Sequence, residues 1–151
     1  MLYLAADHRG FALKETLKTW LLENAAPFKD MGALLLDIND DYPDFGEAAV
    51  QAVLQAPHEN KAVLLCGSGH GMEVIANKFK GIRAALCFNT AVAKQSREHE
   101  NANVLVLAAD WVRDREAIDI TKVWLETPFS NAERNVRRLE KLAKLEDTNF
   151  K

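Results

Sequence analysis

Five short apolar runs, spaced by segments of helical periodicity, constrain this chain more than any other feature. The runs are Leu2–Ala6, Ala33–Asp37, Ala62–Cys66, Arg83–Phe88 and Asn103–Leu107. Between them lie helical patterns near Phe11–Glu23, Phe45–Gln55, Met72–Phe79 and Ala91–His99, and two more follow near Arg115–Glu126 and Ala132–Glu146. Consecutive strands joined through a helix pair in parallel, and a parallel sheet needs both faces covered. The expected fold is α/β, a three-layer, doubly wound (Rossmann-like) sheet of five parallel strands with helices on both faces. Pro43, Pro57 and Pro128 all fall at element boundaries, where proline does least damage.

A chain of 151 residues is read as one domain, 1–151. At that size about 70% of the unfolded surface is buried on folding. Val136, Leu139, Leu142 and Leu145 give the last helix, about 132–146, an apolar stripe to pack on the core or on a partner subunit. With 19 basic and 22 acidic residues the net charge is −3, so no global field recruits nucleic acid or an anionic membrane. The two cysteines, Cys66 and Cys87, show no metal-ligand spacing and suit a reducing compartment. Asp7 comes too early for a signal peptide, and no apolar run reaches the ~20 residues of a membrane span. A cytoplasmic protein is expected.

The third run feeds directly into Cys66-Gly-Ser-Gly-His-Gly71, followed by Met72-Glu-Val-Ile-Ala-Asn-Lys78. Glycines at a strand-to-helix turn let backbone N–H groups approach a ligand, and the helix dipole favours negative charge there. A thiol in that field is expected to lean towards thiolate. Gly67, Gly69 and Gly71 give G-x-G-x-G, which matches neither the dinucleotide fingerprint nor a P-loop. The turn therefore reads either as an anion site with a reactive group or as a tight turn beside an inert cysteine.

Ligands of doubly wound sheets bind beyond the carboxyl ends of the strands. Asp7-His8-Arg9-Gly10 follows the first strand, Asp40-Asp41-Tyr42-Pro43-Asp44 the second, and Cys66 with the glycines the third. Cys87-Phe88-Asn89 follows the fourth, and the helix after it ends in Ser96-Arg97-Glu98-His99-Glu100-Asn101. These groups are expected to gather at one edge, where a carboxylate, two imidazoles and a thiol make a proton-transfer set. Each also has an ordinary use: Asp7 as a cap, the histidines as surface groups, Tyr42-Pro43 as a turn and Cys87 as core. Arg134 and Arg138, four residues apart, share a helix face either as a solvated surface or as a phosphate clamp.

In order and spacing these blocks resemble the type B ribose-5-phosphate isomerases and the related galactose-6-phosphate and allose-6-phosphate isomerases. The resemblance runs from Ala6-Asp7-His8-Arg9-Gly10-Phe11 through Asp41-Tyr42-Pro43-Asp44 and Leu65-Cys66-Gly67-Ser68-Gly69-His70-Gly71. It continues through Ala76-Asn77-Lys78, Gly81-Ile82-Arg83-Ala84-Ala85, Ser96-Arg97-Glu98-His99, Asn101-Ala102-Asn103-Val104-Leu105, Glu133-Arg134 and Arg137-Arg138. It implies an aldose–ketose isomerase of the pentose phosphate pathway that interconverts ribose 5-phosphate and ribulose 5-phosphate through an enediol. Cys66 would be the base. Ser68 and the N–H groups of Gly67, Gly69 and Gly71 would stabilise the enediolate. Asp7 would exchange the O1 and O2 protons, and His99 would open the furanose ring from a partner subunit. His8, Arg134 and Arg138 would hold the phosphate, with Tyr42 and Glu100 beside the sugar. The resemblance implies no metal and no cofactor, and a homodimer with a shared active site or a tetramer built from it.

Four positions depart from the family pattern: Glu100 where Asn is common, Asp110 where many members have Arg, Asn135 for a frequent His, and His70 for an uncharged residue. One extra residue before Arg134 leaves Arg137 as an alternative to Arg138 in the clamp. Two added acids and a lost base leave other readings open. These are a hexose phosphate such as galactose 6-phosphate or allose 6-phosphate, a less charged sugar, or a non-catalytic sugar-phosphate-binding protein. Asp110 and Glu100 must turn outward, pair with Arg97, Arg113 or Arg134, or meet a ligand of lower charge.

Overall fold

The computed structural model describes residues 1–150. Its elements alternate as β1 (Leu2–Ala6), α1 (Phe11–Glu23), β2 (Phe28–Asp30), α2 (Tyr42–Leu54), β3 (Lys61–Cys66) and α3 (His70–Ala76). They continue as β4 (Ala84–Leu86), α4 (Thr90–Glu100), β5 (Val104–Ala108), α5 (Asp114–Glu126) and α6 (Glu133–Asn149). All pairings are parallel, in the order β2-β1-β3-β5-β4. The expected five-stranded, doubly wound sheet is present.

Strand periodicity divides the core. Leu2, Leu4, Ala6, Val63, Leu65, Leu105 and Leu107 face α1, α4 and α5 through Leu13, Leu17, Leu21, Ala93, Ala117, Ile120 and Trp124. Ala5, Ala62, Leu64, Cys66, Val104 and Val106 face α2 and α3 through Ala49, Val50, Val53, Met72 and Ala76. Both faces of β1, β3 and β5 are therefore dry, which accounts for their unbroken apolar runs. Because α1 and α3 cover opposite faces, the adjacent ends of β1 and β3 form a switch point. Asp7 and Cys66 leave the sheet there.

The second strand lies elsewhere than expected. It is Phe28–Asp30, not Ala33–Asp37, which forms a loop. Leu34, Leu35, Leu36 and Ile38 in that loop are 60–82% exposed, so their apolar pattern serves no surface of this chain. The loop's start is anchored by Lys14, fully buried in α1, whose ammonium donates to Asp30 Oδ1 at 2.7 Å and to the Ala33 carbonyl. The α6 helix carries its stripe with Leu142 and Leu145 still 42% and 56% exposed. Its first turn is tied to the end of α4 by buried Asn135, whose amide donates to Ser130 Oγ at 3.0 Å and the Glu98 carbonyl at 3.4 Å. No helix among the described residues is long and apolar enough to cross a membrane.

Candidate active site

At the switch point the loop from Cys66 to Gly71 closes on itself. Gly69 takes φ 79°, a left-handed conformation that a side chain would strain, and so turns the chain into α3. Cys66 is 4% exposed. Burial pushes its thiol pKa up, and backbone N–H groups of Met72, Gly69 and Gly71 pull only partly the other way, with the charge of Asp7 adding to the rise. The expected lean towards thiolate is thus reversed: desolvation outweighs the helix end. The resting group is a thiol, and once ionised it is a stronger base than an exposed cysteine.

Asp7 sits beside it, 6% exposed. Its Oδ1 accepts from the N–H groups of Arg9 at 3.0 Å and Gly10 at 2.9 Å, so it does brace the turn into α1. Oδ2 has no protein hydrogen bond among the described residues. The imidazole of His8 is fixed through Nδ1 to Asp40 Oδ1 at 2.7 Å, and the same oxygen accepts the His8 N–H at 2.9 Å. This hydrogen bond raises the His8 pKa, helped by the charges of Asp7 and Asp40, and Nε2 has no hydrogen bond among the described residues. Tyr42 opens α2 with its ring against Gly71, and Ser68 is half-buried in the loop itself.

Cys66, Ser68, Gly67, Gly69, Gly71, Asp7, His8 and Tyr42 are therefore brought together. His99, Glu100, Arg134 and Arg138 are not. The α4 helix starts at the carboxyl edge of the sheet and runs back, so His99 lies about 14 Å along its axis from Thr90. Its end adjoins the start of β5, where Arg83 Nε donates to the Glu100 carbonyl at 2.8 Å. The first turn of α6 is bonded to Glu98, and Glu146 near its end accepts from Gly81 N–H at 3.1 Å, just before β4. All of α6, including exposed Arg134, Arg137 and Arg138, thus borders the opposite edge. The expectation of one gathering edge is corrected: Cys66 and its neighbours lie at one end of the sheet, and His99, Glu100 and the α6 arginines at the other.

Sequence reasoning missed two side-chain contacts at the glycine-loop edge. Asp40 orients His8 from 32 residues away, and Arg9 ion-pairs with Asp110 across 101 residues. Asp110 is thereby paired, but with none of the three arginines anticipated. Asn135, expected near a phosphate, is 1% exposed and structural. Cys87 is fully buried, its thiol pushed up to about 11 by burial, which fits a core residue. Among the described residues no group of three His, Cys, Asp or Glu side chains is placed to hold a metal ion.

A doubly wound sheet with a thiol, a carboxylate and turned-in amides at its switch point belongs to the sugar aldose–ketose isomerases when set beside known proteins. Residues 2–142 match the ribose/galactose isomerase family, and the chain belongs to that family. It is 36% identical over 145 residues to a probable ribose-5-phosphate isomerase B of Mycoplasma genitalium, covering 96% of this chain and 95% of that one. It is 37% identical over 146 residues to ribose-5-phosphate isomerase B of Mycobacterium tuberculosis, covering 97% and 90%. Among solved structures, the Mycoplasma genitalium enzyme with bound ribulose 5-phosphate superposes with a TM-score of 0.93, over 97% of this chain and 95% of that chain at 36% identity. The Thermotoga maritima ribose 5-phosphate isomerase superposes at 0.89, over 95% and 97% at 38% identity.

Proposed function

We propose that this chain interconverts ribose 5-phosphate and ribulose 5-phosphate through an enediol, in active sites each assembled from two copies. The observation that carries the proposal is Cys66, a buried thiol held among backbone N–H groups beside a carboxylate with one free oxygen. As thiolate, Cys66 takes the C2 proton. The C2–H pair becomes the C1–C2 double bond, and the carbonyl pair moves to O1. Backbone N–H groups of Gly67, Gly69 and Gly71, with the Ser68 hydroxyl, face the oxygen where this charge develops, each donor contributing on the order of 3 kcal/mol. Asp7 passes the proton between O1 and O2, and the thiol returns its proton to C1. No atom is gained or lost.

The second copy supplies the rest. Its His99 opens the furanose by moving a proton between O1 and the ring oxygen, with Glu100 beside the sugar. Its Arg134 and Arg138 join His8 on the phosphate, a dianion suited to forked guanidinium donors. The exposed Leu34–Ile38 loop supports a homodimer, since contiguous apolar surface of this kind marks an interaction site. An isomerase assay over ribose 5-phosphate, galactose 6-phosphate and allose 6-phosphate tests the reaction. Cys66→Ala should lower kcat on the preferred sugar about 10²–10⁴-fold while the fold is kept. Full activity in that variant would remove the mechanism.

A further inference from the structure

Arg9 has no part in the chemistry above, yet it lies against the loop that does. Its backbone N–H is fixed by Asp7, and its side chain crosses Gly67, where even a methyl group would collide with the guanidinium. One Nη2 bond to Asp110 Oδ2 is the only hydrogen bond the side chain makes among the described residues. Most of its five donors are unspent. Asp110 is itself held by its N–H on the Gly67 carbonyl at 3.0 Å, so the ion pair straddles the residue next to Cys66. The Arg9 side chain is 56% exposed and that of Asp110 34%. A pair so exposed contributes little to stability, which makes a structural role a weak account of its place.

We propose that Arg9 is a specificity-determining residue whose guanidinium holds the substrate's phosphate, with Asp110 as the counter-charge that a bound anion displaces. The proposal rests on the isomerase reading for its substrate, but its geometry calls only for a dianion at the mouth of the glycine loop. His8 precedes Arg9 on the same turn, its imidazole held by Asp40 while the Arg9 side chain lies over Gly67. The empty Cβ position of Gly67 lets the guanidinium come close to the backbone. Asp110 neutralises it between turnovers and competes with the ligand for its donors. Removing the two partners must therefore act in opposite directions, which a merely structural pair would not do.

The test uses the full chain, with KM and kcat for ribose 5-phosphate and, separately, the affinity for inorganic phosphate by titration calorimetry. Arg9→Ala should raise KM and weaken phosphate binding by about tenfold or more, with kcat changed far less. Asp110→Asn should do the reverse, lowering KM and tightening phosphate severalfold, and Arg9→Lys should recover part of the loss. Wild-type affinities in both Arg9→Ala and Asp110→Asn would overturn the proposal, as would losses in both. Phosphate titration needs no turnover, so it judges Arg9 even if ribose 5-phosphate is not converted. Failure of conversion by the wild type would instead count against the isomerase reading. If Arg9→Ala does not fold, the sign of the Asp110→Asn effect decides.

Discussion

Mixing two inactive variants tests whether the half-sites meet between copies. Cys66→Ala removes the proposed base from one edge of the sheet, and His99→Ala removes the proposed ring-opening imidazole from the other. His99 lies about two and a half helical turns beyond the start of α4, a distance no side-chain rotation can span. A site built within one chain could therefore not use both residues. In a dimer with exchanged edges, each mixed dimer contains one site with both residues and one with neither. Doubly tagged dimers are all mixed and hold one complete site of two, so that fraction should recover about half of wild-type activity. Each parent should stay far lower, since loss of the base alone raises the barrier by about 3–5 kcal/mol. The assay is conversion of ribose 5-phosphate after co-expression with two different affinity tags and isolation of doubly tagged protein. Activity in that fraction no higher than the mean of the parents would refute the shared site.

Four further outcomes follow from the same geometry. Arg134→Ala or Arg138→Ala should raise KM for the phosphate ester about tenfold or more while competition by unphosphorylated ribose is little changed; a larger effect from Arg137→Ala would move the clamp by one position. Asp40 raises the His8 pKa, so the imidazolium persists at low pH and is lost as pH rises through the raised value. KM should climb along that limb, and Asp40→Asn should shift the climb to lower pH. Because burial also raises the Cys66 pKa, kcat should keep increasing with pH beyond the range of an ordinary thiol, read from pH–rate profiles. Leu35→Glu should dissociate the assembly in light scattering and abolish turnover with helix content retained; an unchanged particle size would remove the Leu34–Ile38 loop from the interface.

The parts of this fold that were legible in the sequence are those whose apolar residues serve their own chain. Leu2–Ala6, Lys61–Cys66 and Val104–Ala108 are central strands, dry on both faces, and their runs mark them. Ala33–Asp37 misled because periodicity reports that a segment is apolar, not which surface will cover it. The real edge strand, Phe28–Asp30, is short and only half-buried, with an exposed lysine at its centre. The glycine loop and its cysteine were readable because they are contiguous. Asp40 and the Arg9–Asp110 pair were not, since no local pattern joins residues 32 or 101 positions apart. His99 was expected at the glycine-loop edge and lies at the other, because a helix following a parallel strand reverses the chain's direction. The sign of the Cys66 shift was lost as well, because the glycines and helix are visible in sequence and the desolvation is not.

The division of the core between two sheet faces has a consequence for oxidation. Cys66 packs with α2 and α3, Cys87 with the helices of the other face, and β5 stands between their strands. Strands two places apart are separated by about 10 Å, beyond the ~7 Å that a disulfide tolerates between Cα atoms. The folded chain therefore has no internal route to a disulfide. Peroxide reaching the loop would leave a lone sulfenic acid on Cys66, with no resolving thiol nearby, so recovery would depend on an external thiol. Oxidative loss of function should then appear as a folded, singly modified and reversibly silent protein, with Cys87 untouched behind the sheet.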